Sequence, residues 1–389
     1  MNDKPVLAAR ALTSRPFHVM ELLARAARLE QQGHPCINMV VGEPDFPAPA
    51  PVIRAAQKIL QDGKIHYTHA LGLPALRKAI AEDYLRRDGL HVSIDRIAVT
   101  VGASGALLLA MAALINPGDE VLMPDPSYPC NREFVAAMGG VVRTIPVDAA
   151  TQYQPMIDQV SRVWSAKTRV LLLASPANPT GTMLTARQAA DLLAYVRSVG
   201  GVMVVDEIYQ RLVFDSQPAS LLSLGEDLIS INSFSKTWSM TGWRLGWMVA
   251  PLAVTAVVER LAQNLFISPS SLSQHAALAA FEPESLEIAA GYRDQFRRHA
   301  QYLIPELSRL GFRISAPPQG AFYAYCDVSA LTNDSYQFCL DLCDQAKVLI
   351  TPGKDFGEHC SQQYVRVSFT KPLALLQEGV ARIARFLSR

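Results

Sequence analysis

Reactive side chains concentrate in one stretch, Ser233-Phe234-Ser235-Lys236-Thr237-Trp238-Ser239-Met240-Thr241-Gly242-Trp243-Arg244-Leu245-Gly246. A lysine amine attacks carbonyl carbons only when unprotonated, and partial desolvation beside a second cation lowers its pKa toward neutrality. Lys236 lies among small hydroxyl residues and aromatics, and Arg244, eight residues on, is a candidate for that cation. The same serines and arginine suit a phosphate: each hydroxyl donates one bond, and a guanidinium fork bonds two oxygens at once. A nucleophilic lysine beside a phosphate cradle suggests pyridoxal 5′-phosphate. In isolation the motif also reads as a polar loop with a solvated lysine and arginine, so the elements that position it must decide.

Lys236 follows the apolar run Leu228-Ile229-Ser230-Ile231, which places it at a strand end. Two other apolar runs also end in polar residues. Leu171-Leu172-Leu173 leads into Ser175-Pro176-Ala177-Asn178-Pro179-Thr180-Gly181, and Val202-Met203-Val204-Val205 leads into Asp206-Glu207-Ile208-Tyr209. An aspartate directly after four apolar residues is costly to bury unless a cation pairs with it; the pyridinium nitrogen of the cofactor is such a cation. Earlier, the run Ile97-Ala98-Val99-Thr100-Val101 meets Gly102-Ala103-Ser104-Gly105, which opens an apolar helix from Ala106 to Ile115. Strand, small-residue turn and helix aim backbone N–H groups and the positive helix end at an anion.

Strands are expected near 97–101, 121–123, 141–145, 169–174, 202–206, 228–233 and 245–249, with helical patterns between several of them. This βα alternation predicts an α/β fold: a mostly parallel central sheet with helices on both faces and ligands at the carboxyl ends of strands. Ahead of it the apolar spacing predicts a helix over 16–32 and a short strand over 36–41. Gly42-Glu43-Pro44-Asp45-Phe46-Pro47 then forms a stiff loop, followed by helices over about 50–62 and 74–87. Tyr67 falls in a polar loop between those helices, and Tyr128 in the loop 124–129. Beyond Pro251 the pattern is helical to about Leu310, punctuated at Pro283 and Gly291. A smaller α+β region follows, with strands near 312–315, 321–326 and 364–369 and a closing helix over 373–387. Arg366 interrupts the last of these strands. The expected organisation is an N-terminal segment 1–46 packing with the small domain, a large cofactor-binding domain 47–290 and a small C-terminal domain 291–389.

Composition narrows the function classes. Of 389 residues, half are hydrophobic and 18% charged, and 36 Lys plus Arg balance 35 Asp plus Glu. This is the make-up of a globular enzyme without the basic field that nucleic acid or anionic lipid attracts. The start, Met1-Asn2-Asp3-Lys4-Pro5, does not resemble a secretory signal, and no apolar run reaches the roughly 20 residues a membrane helix needs. The expectation is a cytoplasmic protein with no nucleic-acid or membrane partner. Six cysteines are scattered without Cys-x-x-Cys pairs; neither a metal site nor disulfides are expected.

Taken together, the block Asn178-Pro179-Thr180-Gly181, then Asp206-Glu207-Ile208-Tyr209, then Ser233 to Gly246 resembles the class I/II aminotransferases. These are pyridoxal-phosphate enzymes of fold type I, and the aspartate aminotransferases are among them. The likeness runs from Gly42 to Arg366. It implies Lys236 as the residue bonded to the cofactor and Asp206 as the partner of the pyridine nitrogen. Asn178 and Tyr209 would bond the ring oxygen, and Tyr128 would stack on the ring. Ser233, Ser235, Arg244 and the backbone of Ala103 and Ser104 would hold the phosphate. Arg366 would bind the substrate α-carboxylate, with Gly42 nearby. Tyr67 would reach the phosphate of a neighbouring subunit, implying a homodimer with shared active sites. The implied reaction moves an amino group between an L-amino acid and a 2-oxo acid by a ping-pong route.

The family branch that uses aspartate carries a lysine where this chain has Ser104, which weakens a dicarboxylate preference. Phe17, Tyr128, Phe322 and Tyr323 are candidates for a side-chain pocket. Two alternatives stay open. A C–S β-lyase or a cyclopropane-forming synthase would use the same lysine, aspartate and arginine. A non-enzymatic regulator on this fold would carry a DNA-binding domain, for which the segment before Gly42 is too short.

Overall fold

The computed structural model describes residues 7–12 and 17–388. Pro16, the expected start of the first helix, and the opening residues Met1 to Pro5 lie outside them. The strands are β1 (Ile37–Asn38), β2 (Ile97–Thr100), β3 (Glu120–Asp125), β4 (Val141–Pro146), β5 (Thr168–Ala174), β6 (Val202–Asp206), β7 (Ile229–Ser233), β8 (Gly246–Val249), β9 (Tyr323–Asp327), β10 (Val348–Leu349), β11 (Thr351–Pro352) and β12 (Tyr364–Ser368). Seven of them form the central sheet, in the order β2-β8-β7-β6-β5-β3-β4, in which β8 alone among the described residues runs antiparallel to its neighbours. The structure is thus α/β, with a mostly parallel sheet between helices.

Continuous apolar runs form this sheet because both of its faces are covered. Along β5, Val170 and Leu172 pack into one core cluster and Leu171 and Leu173 into the other, as side chains alternate across a strand. The register brings three strand ends level: Ala174 lies opposite Asp206, and Asp206 opposite Ile231. The polar residues that follow β5, β6 and β7 therefore converge on one edge of the sheet.

A further core contains residues from both ends of the chain. It packs Leu22, Met39, Phe296, Phe312, Phe322, Val367 and Ile383 together. Here β9, β11 and β12 form an antiparallel sheet in the order β11-β12-β9, and β1 pairs in parallel with β10.

Several expectations are corrected. The strand expected over 36–41 shortens to β1, because Asn38 turns its side-chain oxygen onto the N–H groups of Val40 and Val41 at 3.1 and 3.3 Å and bends the chain out of the ladder. The strand near 312–315 is a single bridge between Arg313 and Asp327; Pro317 and Pro318, without N–H donors, follow at once. The helix expected from Ala106 begins at Gly102, so the small residues form its first turn rather than a loop before it. Gly291 does not punctuate: it is an exposed position inside the continuous helix Pro283–Arg309, whose buried face includes Ala289, Phe296 and Leu303. The break comes earlier, at Pro269 between the helices Leu252–Leu265 and Ser271–Leu278.

Candidate active site

A cavity of about 350 Å³ opens where the strand ends meet the second core. Its floor carries the polar strand-end residues. Lys236 is partly exposed into it and donates from Nζ to the Gly42 carbonyl at 2.7 Å. Burial brings its pKa down to about 8; nearby Glu43 opposes that shift, while the Arg366 and Arg244 charges reinforce it. A substantial minority of the amine is thus deprotonated near physiological pH.

Asp206 and Glu207 are adjacent and both buried, yet they face different surroundings. Glu207 accepts hydrogen bonds from Ser220 and Ser230 hydroxyls, each at 2.6 Å, and from Leu221 N–H at 2.9 Å. That carboxylate is satisfied within the fold. Asp206 lines the cavity and, among the described residues, its carboxylate accepts one bond, from Ile208 N–H at 3.1 Å. Burial pushes its pKa up to about 7, against the pull of that N–H and of Lys236. An under-satisfied carboxylate at the floor of a cavity is a site for a cation.

At one end of the floor the first turn of the helix Gly102–Leu114 presents Ala103 and Ser104, next to Ser233, Ser235 and Arg244. Ser233 Oγ donates to Ser235 Oγ at 2.9 Å and accepts Ser235 N–H at 3.1 Å. Arg244 takes the left-handed conformation, φ 51°, and donates to the Thr241 carbonyl at 2.9 Å. A Cβ on Gly102 would lie 2.8 Å from Arg244 Nη2, so only glycine leaves the guanidinium its place.

The opposite end belongs to the second core. Arg366 is buried in β12 and donates to Asn178 Oδ1 at 2.9 Å and to the Val40 carbonyl at 2.5 Å. Its guanidinium lies against the rings of Tyr323 and Phe356, 4.3 and 4.8 Å from their centroids. Its Nε is buried without a partner among the described residues. Tyr323 also meets Tyr209, hydroxyl to hydroxyl, at 3.0 Å, and burial holds both phenols above the ordinary tyrosine range. Gly42 is packed so tightly that a Cβ there would meet the Tyr323 hydroxyl at 2.1 Å.

A model of the class I and II aminotransferases matches residues 34–383. The chain belongs to the class I and II aminotransferases. A valine–pyruvate aminotransferase of Mycobacterium tuberculosis is 37% identical over 389 residues, which take in 100% of this chain and 99% of that protein. An aspartate aminotransferase of Thermotoga maritima is 32% identical, covering 98% of this chain and 100% of the relative. Among solved structures, an aminotransferase from Mycobacterium tuberculosis superimposes with a TM-score of 0.96 at 37% identity, over 99% of this chain and 100% of that one. The Thermus thermophilus aspartate aminotransferase with maleate gives 0.92 at 30% identity, over 98% and 100%.

This aminotransferase gathers Gly42, Ala103, Ser104, Tyr128, Asn178, Asp206, Tyr209, Ser233, Ser235, Lys236, Arg244 and Arg366 around one cavity. Tyr67 does not line it; its side chain is 81% exposed. Of the expected side-chain pocket, Phe17, Tyr128 and Tyr323 line the cavity, whereas Phe322 is wholly buried against Tyr209 and Phe296. Sequence reasoning missed Val19, Leu23, Asp355 and Phe356, which also line it. Their proximity to Arg366 does mark the 355–356 turn, but only after folding.

No helix among the described residues is long and apolar enough to cross a membrane. No group of three or more His, Cys, Asp or Glu side chains there could hold a metal ion.

Proposed function

We propose that the cavity holds pyridoxal 5′-phosphate and that the enzyme transaminates amino acids with apolar side chains by a ping-pong route. The residues fit the cofactor in two places. Asp206 is a buried carboxylate short of a cation, and a ring nitrogen held protonated supplies one. Ser233, Ser235, Arg244 and the first turn of the helix Gly102–Leu114 form a donor set for a phosphate. When bound, this cofactor supplies an electrophilic carbon and a conjugated ring that takes up electrons from the substrate.

The chain's own residues do the rest. Lys236 is the covalent anchor and then the base at the substrate Cα, a role suited to an amine that titrates at about 8. Asn178 and Tyr209 bond the ring hydroxyl, and Tyr128 packs on the ring. Arg366 takes the α-carboxylate. The single observation that carries this reading is its buried, unpartnered Nε beside a guanidinium already fixed by Asn178 and Val40: a carboxylate supplies the missing acceptor. Lys236, Arg244 and Arg366 are the cations of the described lining, and all three have assigned tasks. With Ser104 uncharged, none remains for a distal carboxylate, and Phe17, Val19 and Leu23 offer an apolar wall instead.

We also propose a cytoplasmic homodimer in which the exposed Tyr67 reaches the partner's phosphate site. We propose, too, that the chain divides into domains at 46 and 290; Ala289 packs with the sheet core and Phe296 with the second core, on either side of the latter boundary.

Borohydride reduction of the cofactor-loaded protein followed by peptide mapping tests the site. The expected result is the cofactor's mass on the peptide containing Lys236. Label on another lysine, or none, would overturn the assignment.

A further inference from the structure

The helix His18–Gln31 has an aromatic residue, Phe17, at its N-cap position, and no side-chain cap of its own. The first N–H groups of a helix need an acceptor. Here it comes from more than 330 residues away: Asp355 Oδ1 accepts His18 N–H at 2.8 Å, and Oδ2 accepts Val19 N–H at 3.0 Å. Both carboxylate oxygens are therefore spent on one helix start, where negative charge also suits the helix dipole.

Asp355 sits on a rigid turn. The next residue, Phe356, packs its ring against the Arg366 guanidinium at 4.8 Å, and its carbonyl accepts Ser127 N–H at 2.9 Å and Arg132 Nη2 at 3.0 Å. Asp125, at the end of β3, accepts Glu358 N–H at 3.0 Å. The turn is thus tied to the central sheet, to the arginine site and to the helix start at once. On that helix start, Phe17, Val19 and Leu23 face the cavity, as does Asp355 itself.

We infer that Asp355 is a positioning residue for donor selectivity: it holds the start of the helix His18–Gln31 so that Phe17, Val19 and Leu23 pack on the substrate side chain once Arg366 has its carboxylate. The inference rests on the apolar-donor reading above. It makes selectivity depend on a carboxylate that never touches the substrate's reacting atoms. Alanine, with one methyl group, gains little from that wall; leucine gains most.

The test compares kcat and KM of the loaded enzyme for L-alanine and L-leucine in Asp355→Ala and Asp355→Asn. It also follows backbone amide hydrogen exchange over residues 18–23 without substrate. In Asp355→Ala, KM for leucine is expected to rise about tenfold more than KM for alanine, with a smaller change in kcat. Exchange over 18–23 should accelerate while that of β6 stays as before. Asp355→Asn, which keeps one acceptor oxygen, should fall between. A leucine-to-alanine ratio within about twofold of the unsubstituted enzyme, or unchanged exchange, overturns the inference. Should Asp355→Ala fail to fold, the double variant Phe17→Ala, Val19→Ala removes the wall and keeps the cap. It is expected to raise the same leucine-to-alanine KM ratio, and a retained ratio overturns the inference equally. If the unsubstituted enzyme does not favour leucine over alanine, the donor class itself is wrong; if it does and the variants keep that preference, only the role of Asp355 fails.

Discussion

The floor and the roof of the cavity are built from different materials. The floor is the carboxyl edge of a parallel sheet: Asp206 and Ser233 end β6 and β7, strands buried on both faces, and Lys236 lies three residues beyond β7 in the short helix Phe234–Thr237, so the register of β5, β6 and β7 sets where they meet. The roof is assembled from segments far apart in the chain, among them Phe17 to Leu23, Val40 to Gly42, and Thr351 to Arg366. Its geometry joins the short antiparallel ladder β11-β12-β9, which carries Thr351, Arg366 and Tyr323, to distant segments through side-chain hydrogen bonds and ring contacts. A floor made this way suits groups that act on the reacting atoms, and a roof made this way suits groups that recognise and enclose. Floor substitutions should therefore appear mainly in turnover and in charge balance, and roof substitutions in substrate affinity.

The largest break in that contrast comes from the floor. Lys236→Ala removes both the nucleophile and the proton carrier, and should lower kcat by more than about 10⁴-fold while leaving the circular-dichroism spectrum as it was. Substantial transamination by a folded Lys236→Ala protein would contradict the division. On the roof, Arg366→Lys keeps the charge but loses the fork. Losing one charge-assisted bond of about 1.5–3 kcal/mol should raise KM for the amino acid by roughly 10- to 150-fold, with kcat much less affected. An equal fall in kcat and kcat/KM would instead assign Arg366 to the transition state.

The floor's charge balance also predicts a pH dependence in the cofactor-free protein. The Asp206 carboxyl titrates at about 7 when folded, against 3.8 for the unperturbed group. Between those values the folded state holds the extra proton, so rising pH destabilises the fold across that window. Below it the carboxyl is protonated in both states and costs nothing. The Tm advantage of Asp206→Asn over the unsubstituted chain should therefore grow from about pH 4 to about pH 7 and then level off. Calorimetry showing a flat difference would place Asp206 in a more hydrated setting. The smallest effect belongs to Tyr323→Phe on the roof. It keeps the ring against Arg366 and removes the hydroxyl bond to Tyr209, so chemical denaturation should report a loss of about 1 kcal/mol.

The same contrast explains what the sequence could disclose. Floor residues are legible because each belongs to a contiguous pattern in which an apolar run ends abruptly in a polar residue, and the run itself announces a buried strand. That pattern alone puts Asn178, Asp206 and Lys236 on one edge of a sheet. Asp355 is not legible in this way, since its partners are two N–H groups more than 330 positions away and nothing local marks an aspartate that caps a distant helix. Phe322 and Tyr323 make the same point: adjacent aromatics are interchangeable in a pattern, but Tyr323, the first residue of β9, reaches the cavity, while Phe322 in the turn before it is wholly buried in the second core. Gly291 misled because a glycine's cost in a helix, about 1 kcal/mol, is small beside the burial of Ala289, Phe296 and Leu303 along the same helix.

The most direct measurement adds a single amino acid to the cofactor-loaded enzyme with no 2-oxo acid present, and follows the released 2-oxo acid together with the absorption spectrum. The expected result is a burst of one 2-oxo acid per active site that then stops, with a lasting spectral change, and turnover that resumes only when an acceptor 2-oxo acid is supplied. Continued release of pyruvate and ammonia without an acceptor, with the starting spectrum persisting, would contradict the transamination mechanism and establish an eliminating enzyme in its place.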